Sequence, residues 1–393
     1  MVDRSLITRV HEVIPLAEYQ RKIARGKPLI IKLGIDPTTP DLHLGHAVVL
    51  DQLRKFQDAG HTIIFLIGNF TAQIGDPTGK SKTRPPLTTQ EVEQNAQTYL
   101  AQAGKIIDTN KVRVAYNADW LATLKFDDLL KLCSKVTVAR LIEREDFANR
   151  LATQQPVGMH ELLYPLMQGY DSVALKADIE IGGTDQTFNM LMGRHLQEHY
   201  GQEPQVVITM PLLEGTDGVH KMSKSLGNAI GLTEQADQAY GKLMSVPDAL
   251  VSRYLSLLAD YSSDKINTLI ANTRNGKLSA IDFKKHMAHV VIQKFWSPQE
   301  ADQAQQTFSD LHQKRDYGAA PEFKLPPGFA NPVWIVDLLK TIGATKTSSD
   351  ARRLLEAGAV TIDQECIKDF KAMIMWQPGQ IIRAGKLHIY KLA

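Results

Sequence analysis

At 393 residues the chain is long enough for two or three domains, and its 43% hydrophobic and 22% charged residues are the ordinary balance of a globular enzyme. A formal net charge of +2 excludes a strong whole-molecule field, so any nucleic-acid contact must come from local basic patches. Cys133 and Cys366 are far apart and lack metal-ligand spacing, which argues against a disulfide framework or a zinc site and fits a reducing cytoplasm. No apolar run is long enough to span a bilayer, and Met1-Val2-Asp3-Arg4 leads into no signal-peptide stretch.

In chain order, residues 28–35 read as a buried strand ending at Gly34, followed by loop chemistry at Asp36-Pro37-Thr38-Thr39-Pro40-Asp41. Val48, Val49, Leu53 and Phe56 recur at helical spacing until Gly60, and residues 61–68 form a second buried strand. Strand, helix and strand in so tight a sequence make a βαβ unit of a parallel sheet. A helix over 88–105 opens with a capping box from Thr88 to Glu91. Strands follow at 111–116, 178–183 and 205–210, with helical patterns over about 120–175 and, after the glycines of the 178–183 strand, through Asn189 to Tyr200. From 233 to 315 the pattern is helical throughout, and a breaker-rich linker runs from Tyr317 to Gly328. The remainder reads as a small unit with helices at Val333–Ile342 and Ser348–Gly358 and short strands around Val360–Ile362 and Leu387–Tyr390. The expected fold is therefore α/β: a Rossmann-like parallel-sheet domain with a helical insertion (1–220), an α-helical domain (221–316), a linker (317–330) and a C-terminal α+β module (331–393).

Two short motifs carry the chemistry: His43-Leu44-Gly45-His46 and Lys221-Met222-Ser223-Lys224-Ser225. His43 and His46 are three apart where the first strand hands over to its helix, the end of a parallel strand at which ligands bind. Unpaired N–H groups at a helix start favour phosphate, and Gly45 opens the backbone to a flat ligand. A bare His-x-Gly-His is more often a pair of half-buried histidines capping a helix; the preceding Gly34-x-Asp36-Pro37-Thr38 and the downstream lysines reverse that preference. Two imidazoles and two ammonium groups can stabilise a pentacoordinate phosphorus as pyrophosphate leaves. The Gly75–Ser81 segment is not a P-loop, because the position five residues before Gly79 is Ile74. Tyr164, Gln168 and Asp171 fall on one helical stripe, which makes a poor core and a good polar pocket floor, or alternatively a network bracing helices.

On these motifs the chain resembles a class I aminoacyl-tRNA synthetase, and the pocket residues narrow the resemblance to the bacterial tyrosyl-tRNA synthetases. The resemblance implies that His43, His46, Thr38, Lys221 and Lys224 are catalytic. It implies that Gly34, Asp36, Gly45, Gly183 and Asp185 hold the adenylate, with Asp185 on the ribose. Lys80 and Arg84 match mobile residues that contact pyrophosphate, or belong to an ordinary solvated loop. Asp76, Tyr164 and Gln168 would bind the α-ammonium, Asp171 the phenol and Gln186 the carboxyl region, with Asn117 in support. The C-terminal unit resembles a small ribosomal RNA-binding module, so Arg352, Arg353, Lys346, Lys368 and Lys371 become candidate RNA contacts. The implied activity is tyrosine–tRNA ligation by a cytoplasmic homodimer, with ATP and Mg²⁺ as a substrate complex, no tightly bound protein metal, and L-tyrosine and tRNA(Tyr) as the other substrates. Tryptophanyl-tRNA synthetase and a nucleotidyltransferase built on the same histidine motif are the alternatives. Two positions depart from the pattern: Lys32 stands where many tyrosyl enzymes carry a tyrosine, and Glu180 where a pocket glutamine is familiar. Both changes resemble the second bacterial subfamily and leave the partner of the phenol open beyond Asp171.

Overall fold

A computed structural model describes residues 4–37, 41–77, 88–385 and 388–393. The chain divides into two compact units, one of residues 1–233 and 252–267, the other of 234–251 and 268–393.

The first unit is built on six strands: β1 (Glu12–Ile14), β2 (Ile30–Ile35), β3 (Thr62–Ile67), β4 (Val112–Tyr116), β5 (Ile179–Gly183) and β6 (Val206–Met210). Their order in the sheet is β1-β6-β5-β2-β3-β4. All neighbours are parallel except β1, which runs antiparallel along β6. The four inner parallel strands, β2, β3, β5 and β6, match mainly apolar runs of the sequence because strands covered on both faces need not alternate, whereas β4 lies at the sheet edge and exposes Arg113. Ile31, Ile63, Ile64, Phe65, Ile179, Val207 and Ile208 are all fully buried. The sequence pattern did not disclose β1, whose three residues are only partly covered.

The chain leaves β2 for β3 on one side, and β5 lies on the other, so the carboxyl end of β2 is the switch point where a crevice opens. The helix Leu44–Asp58 starts there, with Leu44, Ala47, Val48, Leu53 and Phe56 facing the core. The expected capping box on Thr89–Ala103 is present: the Thr88 hydroxyl accepts from Glu91 N–H at 3.3 Å, and the Glu91 carboxylate accepts from Thr88 N–H at 2.8 Å. The helix Met159–Leu175 packs on Thr187–His199, and Gly169 permits that approach, since a methyl group there would sit 2.9 Å from Leu196.

The second unit contains the helices Ala236–Ser245, Ala280–Phe295 and Pro298–Phe308, followed by strands β7 (Glu322–Phe323), β8 (Val333–Trp334), β9 (Val360–Ile362), β10 (Glu365–Cys366), β11 (Met373–Ile374), β12 (Ile381–Ala384) and β13 (His388–Leu392). Five of these form a sheet in the order β10-β9-β12-β13-β7. Leu338, Leu339, Ala351, Leu355, Val360 and Ile382 form its buried core with the helices Ile335–Thr341 and Ser348–Glu356. Three local differences from the sequence reading have physical causes. Val333 and Trp334 pair with Ile374 and Met373 as a strand, so that helix begins at Ile335. Asp363 and Gln364 both take positive φ, 47° and 72°, closing a two-residue hairpin without the Asn-Gly that usually marks one. Within the stretch read as a linker, β7 lies parallel to β13, and Tyr317 and Ala320 pack with Leu311 and Ile389.

Candidate active site

A cavity of about 470 Å³ opens in the first unit and is lined from every element of the crevice. That volume suits a small-molecule substrate. At one end stand the two histidines. His43 caps the helix Leu44–Asp58: its Nδ1 accepts from Gly45 N–H at 3.2 Å, while His46 Nδ1 accepts from His43 N–H at 3.2 Å. The rings lie 4.0 Å apart. With both Nδ1 atoms accepting, this network assigns each ring proton to Nε2. Burial, followed by the neighbouring charges of His46 and Lys221, holds His43 well below the usual imidazole range. Burial likewise lowers His46 to about 4. The imidazoles are therefore neutral N–H donors near pH 7. Positive charge around the cavity's phosphate-binding candidates comes from the lysines, with the imidazoles acting as neutral donors.

The lysine loop lies at the same end, near enough for the Lys221 charge to act on both imidazoles. Lys221 Nζ pairs with Asp185 at 2.7 Å, and Lys224 pairs with Asp41. The loop is held in shape by buried Asn228, whose Oδ1 accepts from Ser223 N–H at 2.8 Å and whose Nδ2 donates to Asp217 at 3.0 Å. Gly215 leaves room for this, since a methyl group there would overlap the Asn228 amide.

The other end of the cavity is polar and mostly buried. Asp171 accepts from Trp120 Nε1–H at 2.8 Å and from Asn117 Nδ2–H at 3.2 Å. Burial raises its pKa to about 7; the Lys32 charge is the largest influence opposing that rise. Asn117 also donates to Thr71 Oγ1 at 3.0 Å, and Thr71 donates to Asp36 at 2.7 Å. The Tyr164 hydroxyl donates to Asp36 at 2.8 Å, and burial followed by the charges of Asp36 and Asp76 lifts its pKa well above the ordinary phenol value. Asp76 accepts from Gln186 Nε2–H at 2.7 Å and from Arg144 at 3.0 Å. Beneath this floor, Lys32 and Glu180 meet across β2 and β5 at 3.0 Å, with side-chain exposures of 0% and 2%. Among the described residues, no group of three or more His, Cys, Asp or Glu could hold a metal ion.

A family model for class I tRNA synthetases of the tryptophan and tyrosine type matches residues 24–313. The chain belongs to that family. Among curated relatives of this synthetase, the tyrosine–tRNA ligase of Carboxydothermus hydrogenoformans is 48% identical, over 98% of this chain and 95% of its own length. The tyrosine–tRNA ligase of Thermotoga maritima is 45% identical, over 98% and 95% respectively. Solved tyrosyl-tRNA synthetases of Aeropyrum pernix and Archaeoglobus fulgidus, the latter complexed with L-tyrosine, each align with a TM-score of 0.62 at 20% identity. They cover 79% and 77% of this chain and 95% and 98% of their own. At that identity the likeness establishes the synthetase fold.

Of the residues singled out from sequence, the synthetase cavity gathers Gly34, Asp36, His43, Gly45, His46, Asp76, Asn117, Tyr164, Gln168, Asp171, Gly183, Asp185, Gln186, Lys221 and Lys224 along its walls. Thr38, Lys80 and Arg84 lie outside the described residues. Lys346, Arg352, Arg353, Lys368 and Lys371 are all exposed in the second unit. Arg352 lies 4.4 Å over the Phe370 ring, and Arg353 pairs with Asp350.

Sequence reasoning did not find Trp120, Thr71, Arg144, Asn228, Asp41 or Gly68, where a methyl group would collide with Asp36 and Thr71. Nor did it see that its two departures, Lys32 and Glu180, are one feature. A signal for that pair did exist: each is a lone charge inside an otherwise apolar strand, and opposite charges buried in one sheet need partners.

Proposed function

We propose that the chain is a tyrosine–tRNA ligase. Tyrosine and Mg-ATP occupy the cavity; a tyrosine carboxylate oxygen bonds to the α-phosphorus as the bond to the β-phosphate oxygen breaks, giving tyrosyl-adenylate and pyrophosphate. The 3′-terminal adenosine of tRNA then takes the acyl group and AMP leaves. The observation that carries this reading is a single cavity with neutral imidazole donors and two lysines at one end and a buried carboxylate, Asp171, at the other. The buried carboxylate suits a phenol, and the donors and ammonium groups suit a triphosphate.

Each residue has a part that follows from its surroundings. His43 and His46 donate from Nε2 to phosphate oxygens, and fixed N–H dipoles gain most as charge builds on those oxygens. Lys221 and Lys224 neutralise the departing pyrophosphate, assisted by Lys80, Arg84 and Thr38. Both cavity lysines are already ion-paired, so the triphosphate draws them from Asp185 and Asp41. Leaving Lys221 frees the Asp185 carboxylate for the ribose hydroxyls. Gly34, Gly45 and Gly183 let the nucleotide approach the backbone, beside Asp36. Asp76, Tyr164, Gln168 and Gln186 orient the amino-acid head group, Arg144 steadies Asp76, and Asn117 steadies Asp171.

The helical region 221–316 binds the anticodon arm, and the module 331–393 contacts tRNA backbone through Arg352, Arg353, Lys346, Lys368 and Lys371. The chain acts in the cytoplasm as a homodimer. Exposed Phe126 and Leu130, one turn apart, and exposed Val138 and Met159 in the helical insertion support such a face. No described helix is long and apolar enough to cross a membrane. The deciding experiment is exchange of labelled pyrophosphate into ATP with each amino acid in turn. Exchange driven by tyrosine alone is expected; exchange driven by tryptophan, or by none, would overturn the assignment.

A further inference from the structure

The buried pair beneath the cavity floor is tied to both sides of Asp171. Lys32 Nζ donates to Ser172 Oγ at 2.7 Å and to Gln168 O at 3.4 Å, besides pairing with Glu180 at 3.0 Å. Three donors are thereby used on three acceptors. Glu180 in turn accepts from Gln205 at 2.5 Å, Ser172 at 3.1 Å and Gln168 at 3.3 Å. Residues 168 and 172 flank Asp171 on the same helix, so the pair lies under the carboxylate without hydrogen-bonding it directly.

We propose that Lys32 and Glu180 are positioning residues for tyrosine selection: their opposed charges set the ionisation of Asp171, and with it the preference for a phenol over a bare ring. The inference rests on Asp171 being the phenol acceptor. An ionised Asp171 left facing a bare aromatic edge is a buried charge without its partner, which penalises phenylalanine; a neutral acid carries a far smaller penalty. Burial works toward the neutral acid, and Lys32 works against it more strongly than any other group, while Glu180 works with burial. The remaining titratable groups on the cavity walls are Asp36, Asp76, Tyr164, Tyr99, His43 and His46 with Asp185 and the lysines of the loop. The two histidines stay neutral at the pH of interest. A brace that merely held the helix on the sheet would use the same hydrogen bonds, so geometry alone does not separate the roles. Charge does, because the two partners must act with opposite signs.

The test uses the intact protein and measures kcat/KM for tyrosine and for phenylalanine in pyrophosphate exchange between pH 6 and 9. Because burial raises Asp171 to about 7, tyrosine selection in the parent should fall on an acid limb in that region. Lys32→Met should move that limb up by about one unit and lower the tyrosine-to-phenylalanine ratio at pH 7.5; Glu180→Gln should move it down by a similar amount. Limbs that do not move, or that move in the same direction, overturn the proposal. If Lys32→Met does not fold, Glu180→Gln decides: a downward shift supports the proposal, and no shift or an upward one overturns it. Asp171→Asn separates the two readings. If it abolishes limb and preference while the Lys32 and Glu180 variants leave the limb in place, only this proposal fails. If it leaves both intact, the phenol reading fails as well.

Discussion

His46→Gln separates what the histidine does for the fold from what it does for the reaction. In the parent, His46 Nδ1 accepts the His43 N–H that would otherwise be orphaned at the helix start. A glutamine at this third helical position supplies an amide oxygen in the same role, so the cap survives. It lacks a titrating nitrogen and the Nε2–H aimed at phosphate. The pKa of His46 falls from 6.5 to about 4, with burial the main cause. A histidine depressed in this way contributes stability that is intact above 6.5 and is lost as the pH falls toward 4. Linkage puts the loss at about 2 kcal/mol by pH 5 and about 3 kcal/mol once the pH drops below the folded value. His43 titrates in both proteins and is held down mainly by burial in each, so the larger part of its contribution drops out of the difference and only its smaller coupling to His46 is lost. The assay is thermal unfolding of both proteins from pH 8 to pH 4.5. At roughly 2–4 °C per kcal/mol for a domain of this size, the variant should gain about 4–8 °C on the parent between pH 8 and pH 5. Its kcat for tyrosine activation should fall by about 10²–10³, with KM for ATP little changed, as for loss of one donor to a developing charge. A melting difference that does not vary with pH would refute the reasoning on burial, and activation at the parent rate would refute the role in phosphate stabilisation.

Lys224→Ala should lower kcat for adenylate formation by about 10²–10³, read in pyrophosphate exchange, because its charge acts mainly on the departing pyrophosphate. Asp41→Ala releases Lys224 from its carboxylate and should lower KM for ATP, measured in the same assay; an unchanged or raised KM would show that the pair does not restrain the loop. The double variant Arg352→Ala with Arg353→Ala should leave tyrosine-dependent exchange at the parent level, weaken tRNA binding, and flatten the slope of log Kd against log salt by about 1.5 for two lost phosphate contacts. Parent-like tRNA affinity across salt would remove those arginines from the interface.

The features legible in the sequence are those whose physics is local. Parallel strands buried on both faces announce themselves as apolar runs, as β2, β3, β5 and β6 do, while the edge strand β4 is legible from its alternating Val112-Arg113-Val114. A helix start built from His-Leu-Gly-His reads directly, since its capping contacts join residues two and three apart. The Thr88–Glu91 box is legible for the same reason. Tyr164, Gln168 and Asp171 could be grouped because one helix carries all three. Short elements were lost where the local signal is weak: β1 has three residues, β7 has two, and the Asp363-Gln364 turn adopts positive φ without glycine.

What only the tertiary structure decided is which distant charges meet. Lys32 and Glu180 are 148 positions apart and face each other because the crossovers set β5 beside β2 in one register. Asp76 finds Arg144, Lys221 finds Asp185, and Lys224 finds Asp41 through loops whose sequences carry no trace of the partner. The protonation of the site was decided the same way. His43, His46 and Asp171 have ordinary intrinsic acidities, and burial in a folded crevice makes the imidazoles neutral donors and leaves the carboxyl balanced near neutrality. A sequence names the titrating groups; the solvent excluded around each one, a property of the packed chain, sets its charge.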